Sequence, residues 1–461
     1  MKVDLLLQDG KIYVGGELVE ASLAIENGKI AALTFRPEAF QPDRVVKARG
    51  KLILPGVIDC HVHFREPGRT HKEDFQTGSS AAAVGGVTTV FDMPNTLPPT
   101  TSLEAFKVKA EAAGRSSLVD YAIWGGVSAE TLEEAGRLRE AGVVGFKLMA
   151  SAQDQRRGAS IFSVPEDGGI LLQIMGKLAE LGLPLAIHAE DFTVRKLLQD
   201  RLRAEGRGDW KAYLEAIPGE VEASAAARVL MLARHAGARI HLVHVSSRLT
   251  LEVLRMARGL GVNFTAETCP HYLLLTWKAM EEAGCRAKID PPLKMEEDVE
   301  SLWEAIQDGT ISILASDHSP HTREEKEAGL WEAPPGFCGV ETLLPLMLSQ
   351  VAEGRLTLGR LVSLTAENPA KAFGLWGFKG ALHPGFDADL VVVDPRREWT
   401  IREENLHSRS KVTPWDGWRV KGFPTLTMVR GEIVAEEGEP TGKPGWGKLV
   451  KPKPNRLNIP S

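Results

Sequence analysis

The chain has no paired cysteines: Cys60, Cys269, Cys285 and Cys338 are scattered, and no C-x-x-C motif occurs. Structural zinc held by cysteine is therefore not expected, and isolated thiols suit the reducing conditions of a cytoplasm. No apolar run is long enough to cross a bilayer, and the first one, Leu5-Leu6-Leu7, is too short for a signal peptide. A membrane partner is not expected, and the expected location is cytoplasmic. No basic stripe stands out either, since 55 Lys and Arg face 61 Asp and Glu for a net charge of −6. Nucleic acid is thereby set aside as a partner. What the chain does have is 461 residues with 43% hydrophobic content, enough for one large core and a smaller companion.

From residue 53 onward, apolar strand-like segments alternate with segments of helical period. The strand candidates are 53–64, 88–93, 120–124, 145–149, 185–188, 240–245, 263–268 and 312–316. All but the first follow a glycine, namely Gly86, Gly114, Gly142, Gly182, Gly237, Gly261 and Gly309. Each glycine stands where a left-handed residue stops a helix. Eight such units predict an α/β fold of the (β/α)8 TIM-barrel type, with an open doubly wound sheet as the alternative. An extra element is expected at about 195–218, ahead of a helix at 221–236.

Residues 1–54 carry short β runs at 4–8, 11–14, 22–25 and 29–33, separated by the turn signals Asp9-Gly10, Gly15-Gly16 and Asn27-Gly28. β character returns at 388–393, 425–429 and 432–435. The expected organisation is a barrel over 55–377, with 1–54 and 378–461 supplying the two parts of a small β-sandwich. The Pro-, Lys- and Gly-rich stretch 442–461 reads as a solvated tail or a surface strap.

Barrel chemistry sits at the C-terminal ends of the strands. The first barrel strand ends in His61-Val62-His63, and residues two apart in a strand share a face, so two imidazoles aim at one point. A bare H-x-H is more often an ordinary strand, but the other strand ends supply Asn95, Lys147, His188, His244 and Asp317. Singly these have plain structural explanations; jointly they describe a cation site with nitrogen and carboxylate ligands. Lys147 is the odd member, because an ammonium repels cations unless it is neutralised or converted to an anion.

The motifs PGVIDCHVHFREPG, HKEDFQTGSSAAAVGGVTTVFDMPNT, GFKLMA, AIHAED, HLVHVSS, TAETCPHYL and ASDHSPH closely resemble the amidohydrolase superfamily. Within it they resemble the cyclic amidases: dihydroorotases, allantoinases, and hydantoinases or dihydropyrimidinases. GFDADLVVVD and TMVRGEIV resemble the flanking β-sandwich of that group. The resemblance implies two divalent metal ions, usually zinc, and a lysine at Lys147 carbamylated by carbon dioxide. It implies His61, His63 and Asp317 on one metal, His188 and His244 on the other, and Lys147 on both. It further implies attack of a metal-bridging hydroxide on a ring amide, with Asp317 as the catalytic proton shuttle. A homo-oligomer (dimer or tetramer) and association with a transcarbamoylase are the partners it suggests, beside a small-molecule substrate.

The ring is a finer question. In dihydroorotases an arginine, the asparagine of M-P-N and the second histidine of D-H-x-P-H bind the substrate carboxylate; here these match Arg65, Asn95 and His321. Arginine is a fork suited to a carboxylate, although Glu66 or Asp74 are nearby local partners for it. The implied reaction is reversible opening of dihydroorotate to N-carbamoyl-L-aspartate, a step of pyrimidine biosynthesis. YAIWGG, the KIDPPLK segment and Cys338 lean away from dihydroorotases, which keeps allantoinase or hydantoinase as alternatives. A silent barrel homologue serving as an assembly subunit is disfavoured, because it would not need all the ligand positions. Among the other histidines, His241 is expected to be structural, His271 to pack or support the site, and His318 to orient Asp317.

Overall fold

A computed structural model describes residues 1–149 and 163–453. Ala150, the last residue of GFKLMA, and residues 454–461 of the expected tail lie outside the described residues. All eight expected barrel strands are present: Val57–Val62, Val87–Asp92, Asp120–Ile123, Phe146–Leu148, Leu185–Ile187, Ile240–Leu242, Phe264–Thr268 and Ile313–Leu314. Neighbours pair in parallel in chain order, with the two-residue strand Gly125–Gly126 carrying the ladder to Phe146–Leu148. A bridge between Val62 and His318, with His63 N donating to His318 O at 2.8 Å, closes the ring. The closure decides for a (β/α)8 barrel over an open sheet.

The expected strand at 53–64 is two strands. Leu52–Pro55 belongs to the outer sheet and Val57–Val62 to the barrel. The break falls at Gly56, where a Cβ would stand 2.2 Å from Thr88 Oγ1, so only glycine lets the chain cross between the two layers. Gly142, Gly182, Gly237 and Gly309 are left-handed caps as expected, whereas Gly114 lies inside the helix Leu103–Ser116. That helix ends on Ser117 without a glycine.

Both chain ends enter one nine-stranded sheet beside the barrel. Asp9-Gly10 is not a turn: it is a bulge in the continuous strand Lys2–Val14, with Asp9 at φ +60°. Leu7, Ile12, Leu23 and Ile53 from the N-terminal side share a core with Leu390, Val392 and Met428 from the C-terminal side. Each such side chain, fully buried, contributes about 1.5–3 kcal/mol. Residues 445–453 are a strap: Val450 N donates to Tyr121 O at 2.7 Å and Lys453 N to Gly374 O at 3.0 Å.

Inside the barrel, Ile58, Phe91, Trp124, Ala186, Val243, Ile313 and Phe373 form a packed plug. The segment expected to hold an extra element contains two helices, Phe192–Ala204 and Trp210–Ala216, before the long helix Gly219–Ala236.

Candidate active site

The nine residues singled out from the sequence line one pocket: His61, His63, Arg65, Asn95, Lys147, His188, His244, Asp317 and His321. They come from strand ends or the residues just beyond, which is why segments far apart in the chain converge. Arg65, His244 and Asp317 have left-handed backbones, at φ +62°, +41° and +46°. Such conformations are costly for residues with a side chain and gather at functional sites.

Each imidazole has a partner or position that bears on which nitrogen it offers. His61 Nδ1 meets Glu267 Oε1 at 2.5 Å, and its Nε2 lies 3.3 Å from Asp317 Oδ1. His63 Nδ1 meets Asn95 Oδ1 at 2.7 Å, and its Nε2 lies 3.5 Å from Asp317 Oδ1. Donation through Nδ1 leaves the Nε2 lone pair of both rings on the Asp317 side. His188 Nε2 meets Glu190 Oε2 at 2.8 Å, which leaves its Nδ1 for a ligand. The His188 and His244 ring centroids are 4.4 Å apart, and those of His61 and His244 5.5 Å. Burial holds His61, His63 and His244 below the usual imidazole range, favouring the neutral rings that metals take.

Lys147 sits in the strand Phe146–Leu148, 1% exposed, and its Nζ has no hydrogen-bond partner among the described residues. Burial pulls the ammonium down to about 8, against the opposing pull of Glu267 and Asp317. Burial raises the Asp317 carboxyl, while His61 and Lys147 pull it back.

The donor set fits a cation. One ligand atom from each of His61, His63 and Asp317 lies within 4.8 Å of the others. Two imidazoles and a carboxylate suit zinc and its neighbours. The Lys147 amine and the buried His244 Nδ1 are polar groups that no other described residue satisfies.

Arg65 donates from Nε to Pro320 O at 3.2 Å and from Nη2 to Ser319 Oγ at 3.2 Å. Its Nη2 is also 3.2 Å from His321 Nε2. The strand has ended by Arg65, so its left-handed backbone, and not strand alternation, turns it into the pocket. His321 Nδ1 lies 3.1 Å from Lys72 Nζ. Burial and these two cations hold the imidazole well below its usual range, so it is neutral. With Asn95 Oδ1 taken by His63, the amide N–H2 is the group Asn95 can offer a ligand.

The family model for the amidohydrolase family matches residues 52–434. The chain belongs to the amidohydrolase family. Relatives spanning nearly the whole chain include an L-hydantoinase of Paenarthrobacter aurescens, 37% identical over 97% of this chain and 98% of its own. A dihydroorotase of Methanosarcina acetivorans is 38% identical over 97% and 95%, and an allantoinase of Rubrobacter xylanophilus 39% over 98% of both. Among solved structures, the L-hydantoinase (dihydropyrimidinase) from Arthrobacter aurescens superposes with a TM-score of 0.93 at 36% identity, over 97% of this chain and 100% of its own. This amidohydrolase is an enzyme that acts on the C–N bonds of cyclic amides, and its family generally binds divalent metals.

Sequence reasoning missed the carboxylates behind the histidines. Glu267, in the strand Phe264–Thr268 and fully buried, takes His61 Nδ1 on one oxygen, and on the other Cys60 Sγ at 3.1 Å and His241 Nε2 at 2.9 Å. Glu190 is held by Arg195, whose other arm reaches Asp290 at 2.9 Å. The signal for Glu267 was an acid placed inside a strand of the TAETCPHYL motif. His241 is buried against Trp124, their rings stacked at 6.3 Å, and supports Glu267. His271 packs against Tyr272 and Phe337. His318 does not orient Asp317 through its ring: its Nδ1 accepts from Gly339 N at 3.2 Å, and its Nε2 lies 3.3 Å from Glu73. Adjacent residues here point to different neighbours.

Proposed function

We propose that this amidohydrolase is a dihydroorotase, opening dihydroorotate reversibly to N-carbamoyl-L-aspartate. The observation that carries the reading is the clamp: Arg65 and His321 share the pocket with the candidate ligands and touch each other at 3.2 Å. Arg69 lines the same pocket, so its wall is rich in cations that suit a carboxylate. Allantoin, hydantoin and dihydrouracil carry no carboxylate for this wall to hold.

Two divalent ions, zinc by the donor chemistry, would be held by His61, His63 and Asp317 and by His188 and His244, with a Lys147 carbamate shared between them. Such ions acidify water and polarise a ring carbonyl. The chain's own residues do the rest. Lys147 Nζ, buried and without a hydrogen-bond partner among the described residues, adds as the neutral amine to carbon dioxide with loss of a proton and becomes the anion that two cations need beside them. Asp317 accepts a proton from the attacking water and returns it to the ring nitrogen as the C–N bond breaks. Glu267 and Asn95 keep His61 and His63 in the tautomers that face Asp317. Arg65, His321 and the Asn95 amide hold the carboxylate, which orients the ring over the water.

The same proposal covers a cytoplasmic location, a homo-oligomer (dimer or tetramer), a transcarbamoylase as the protein partner, and 55–377 as the catalytic unit. Turnover of dihydroorotate, allantoin, dihydrouracil and hydantoin side by side tests it. Dihydroorotate should have the highest kcat/KM; preference for any uncharged ring would replace this reading by allantoinase or hydantoinase.

A further inference from the structure

Two lysines with no part in that chemistry are buried next to the pocket. Lys288 and Lys326 are 1% and 3% exposed, and neither forms an ion pair among the described residues. Both direct their donors at backbone carbonyls. Lys326 Nζ donates to Lys288 O at 3.0 Å, Pro334 O at 3.0 Å and Gly336 O at 2.7 Å. Lys288 Nζ donates to Leu330 O at 2.6 Å and Ala333 O at 2.5 Å, and stands 4.9 Å from the Tyr213 ring centroid. An ammonium has three donors, so Lys326 is fully satisfied. Burying a charge is costly even so, and an ordinary loop can be packed with apolar side chains at no such cost.

Two of these carbonyls, those of Pro334 and Gly336, belong to residues in a wall of the pocket, and the other three to the chain directly before wall residues. Pro334, Pro335 and Gly336 line it, as do Ile289 and Asp290 from the segment that starts at Lys288. Lys288 O receives both Lys326 Nζ and the Gly336 N–H, the latter at 2.9 Å. The outer part of the loop rests on the two extra helices and their linker. Trp331 Nε1 donates to Arg207 O at 2.8 Å, and Arg203 pairs with Glu332 at 2.7 Å. Tyr213 closes the circuit: its hydroxyl donates to the Asp290 carboxylate and lies 3.1 Å from Ile289 O.

We propose that Lys288 and Lys326 are positioning residues for substrate selection, their ammonium groups stapling the 330–336 loop to the Lys288–Asp290 segment and so setting the shape of the pocket wall. Neither lysine lines the pocket or bonds a candidate ligand, so the staples govern which ring is held and leave the hydrolytic centre alone. The inference rests on this pocket being the substrate site and not on dihydroorotate being the substrate.

The test compares Lys326→Met and Lys288→Met with the parent enzyme on every cyclic amide that the parent turns over, with metal content measured alongside. A wall displaced by about 1 Å can cost about 10²-fold through misplacement of the ring. The expected result is an unchanged metal content, a KM for the preferred ring raised about tenfold, and a kcat/KM ratio between rings altered by about tenfold. A lower melting temperature with unchanged KM and unchanged ring ratio would overturn the proposal and leave the lysines as mere loop supports. If Lys326→Met does not accumulate as folded protein, Lys326→Gln takes its place, keeping amide donors without the charge, and the same two outcomes apply. The identity of the parent's preferred ring decides the proposed function separately.

Discussion

Replacing Arg65 by methionine removes the guanidinium and keeps an unbranched stem of similar girth. The backbone stays at φ +62°, a cost that both residues bear, so the comparison isolates the head group. Arg65 is 5% exposed and its Nη2 is within 3.2 Å of both Ser319 Oγ and His321 Nε2, the position from which a bound carboxylate would be gripped. A hydrogen bond to a charged group is worth about 1.5–3 kcal/mol, which corresponds to roughly tenfold to a hundredfold in kcat/KM for dihydroorotate. Part of that loss should appear in KM and part in kcat, because the clamp both holds the ring and aims it. Steady-state kinetics on dihydroorotate and on an uncharged ring, with metal analysis of the same preparations, provide the assay. Metal content should not change, and any activity on dihydrouracil should be spared. Equal losses on charged and uncharged rings would refute the reasoning: Arg65 would then only tie its loop to Pro320 and Ser319.

Lys147→Ala should lose much of the bound metal and nearly all activity, with partial recovery on adding short carboxylic acids; full metal content with a parental rate would end the bridging role. Asp317→Asn should lower kcat by at least about 10²-fold, the low end for general acid–base catalysis, while much of the metal remains; near-parental turnover would mean another group moves the proton. Lys109→Met strands the Asp92 carboxylate, which pairs with Lys109 Nζ at 2.5 Å with both side chains fully buried and also accepts Phe64 N at 2.7 Å. Breaking such a pair costs about 3–5 kcal/mol, readable by denaturant unfolding; a loss under about 1 kcal/mol would show that Asp92 is relieved by taking up a proton. Burial already pushes the Asp92 carboxyl upward, in the direction of that escape.

The barrel was legible because its signals are local and periodic. Apolar runs such as 185–188 and 240–245, each behind a glycine that ends a helix, need only short windows of chain to be read. The candidate ligand positions were legible for a related reason: a histidine or aspartate at the end of an apolar strand conflicts with its surroundings unless it has a task. Arg65 lies beyond the end of the strand Val57–Val62 and reaches the pocket by a left-handed backbone, which the residue pattern does not reveal. Gly114 shows the limit of the glycine signal, since the register of the helix Leu103–Ser116 carries it past that residue.

By itself, then, the amino-acid order determined the eight-unit alternation, the β-rich ends and the residue types at each strand end, because backbone period and side-chain chemistry are properties of short segments. Only the tertiary structure decided which atoms meet. Glu267 lies 206 positions from His61 yet takes its Nδ1, and Lys326 reaches Lys288, Pro334 and Gly336 by one ammonium. Hydrogen bonds act over about 3 Å whatever the separation along the chain, so partners of this kind exist only once the barrel has closed and brought those segments together.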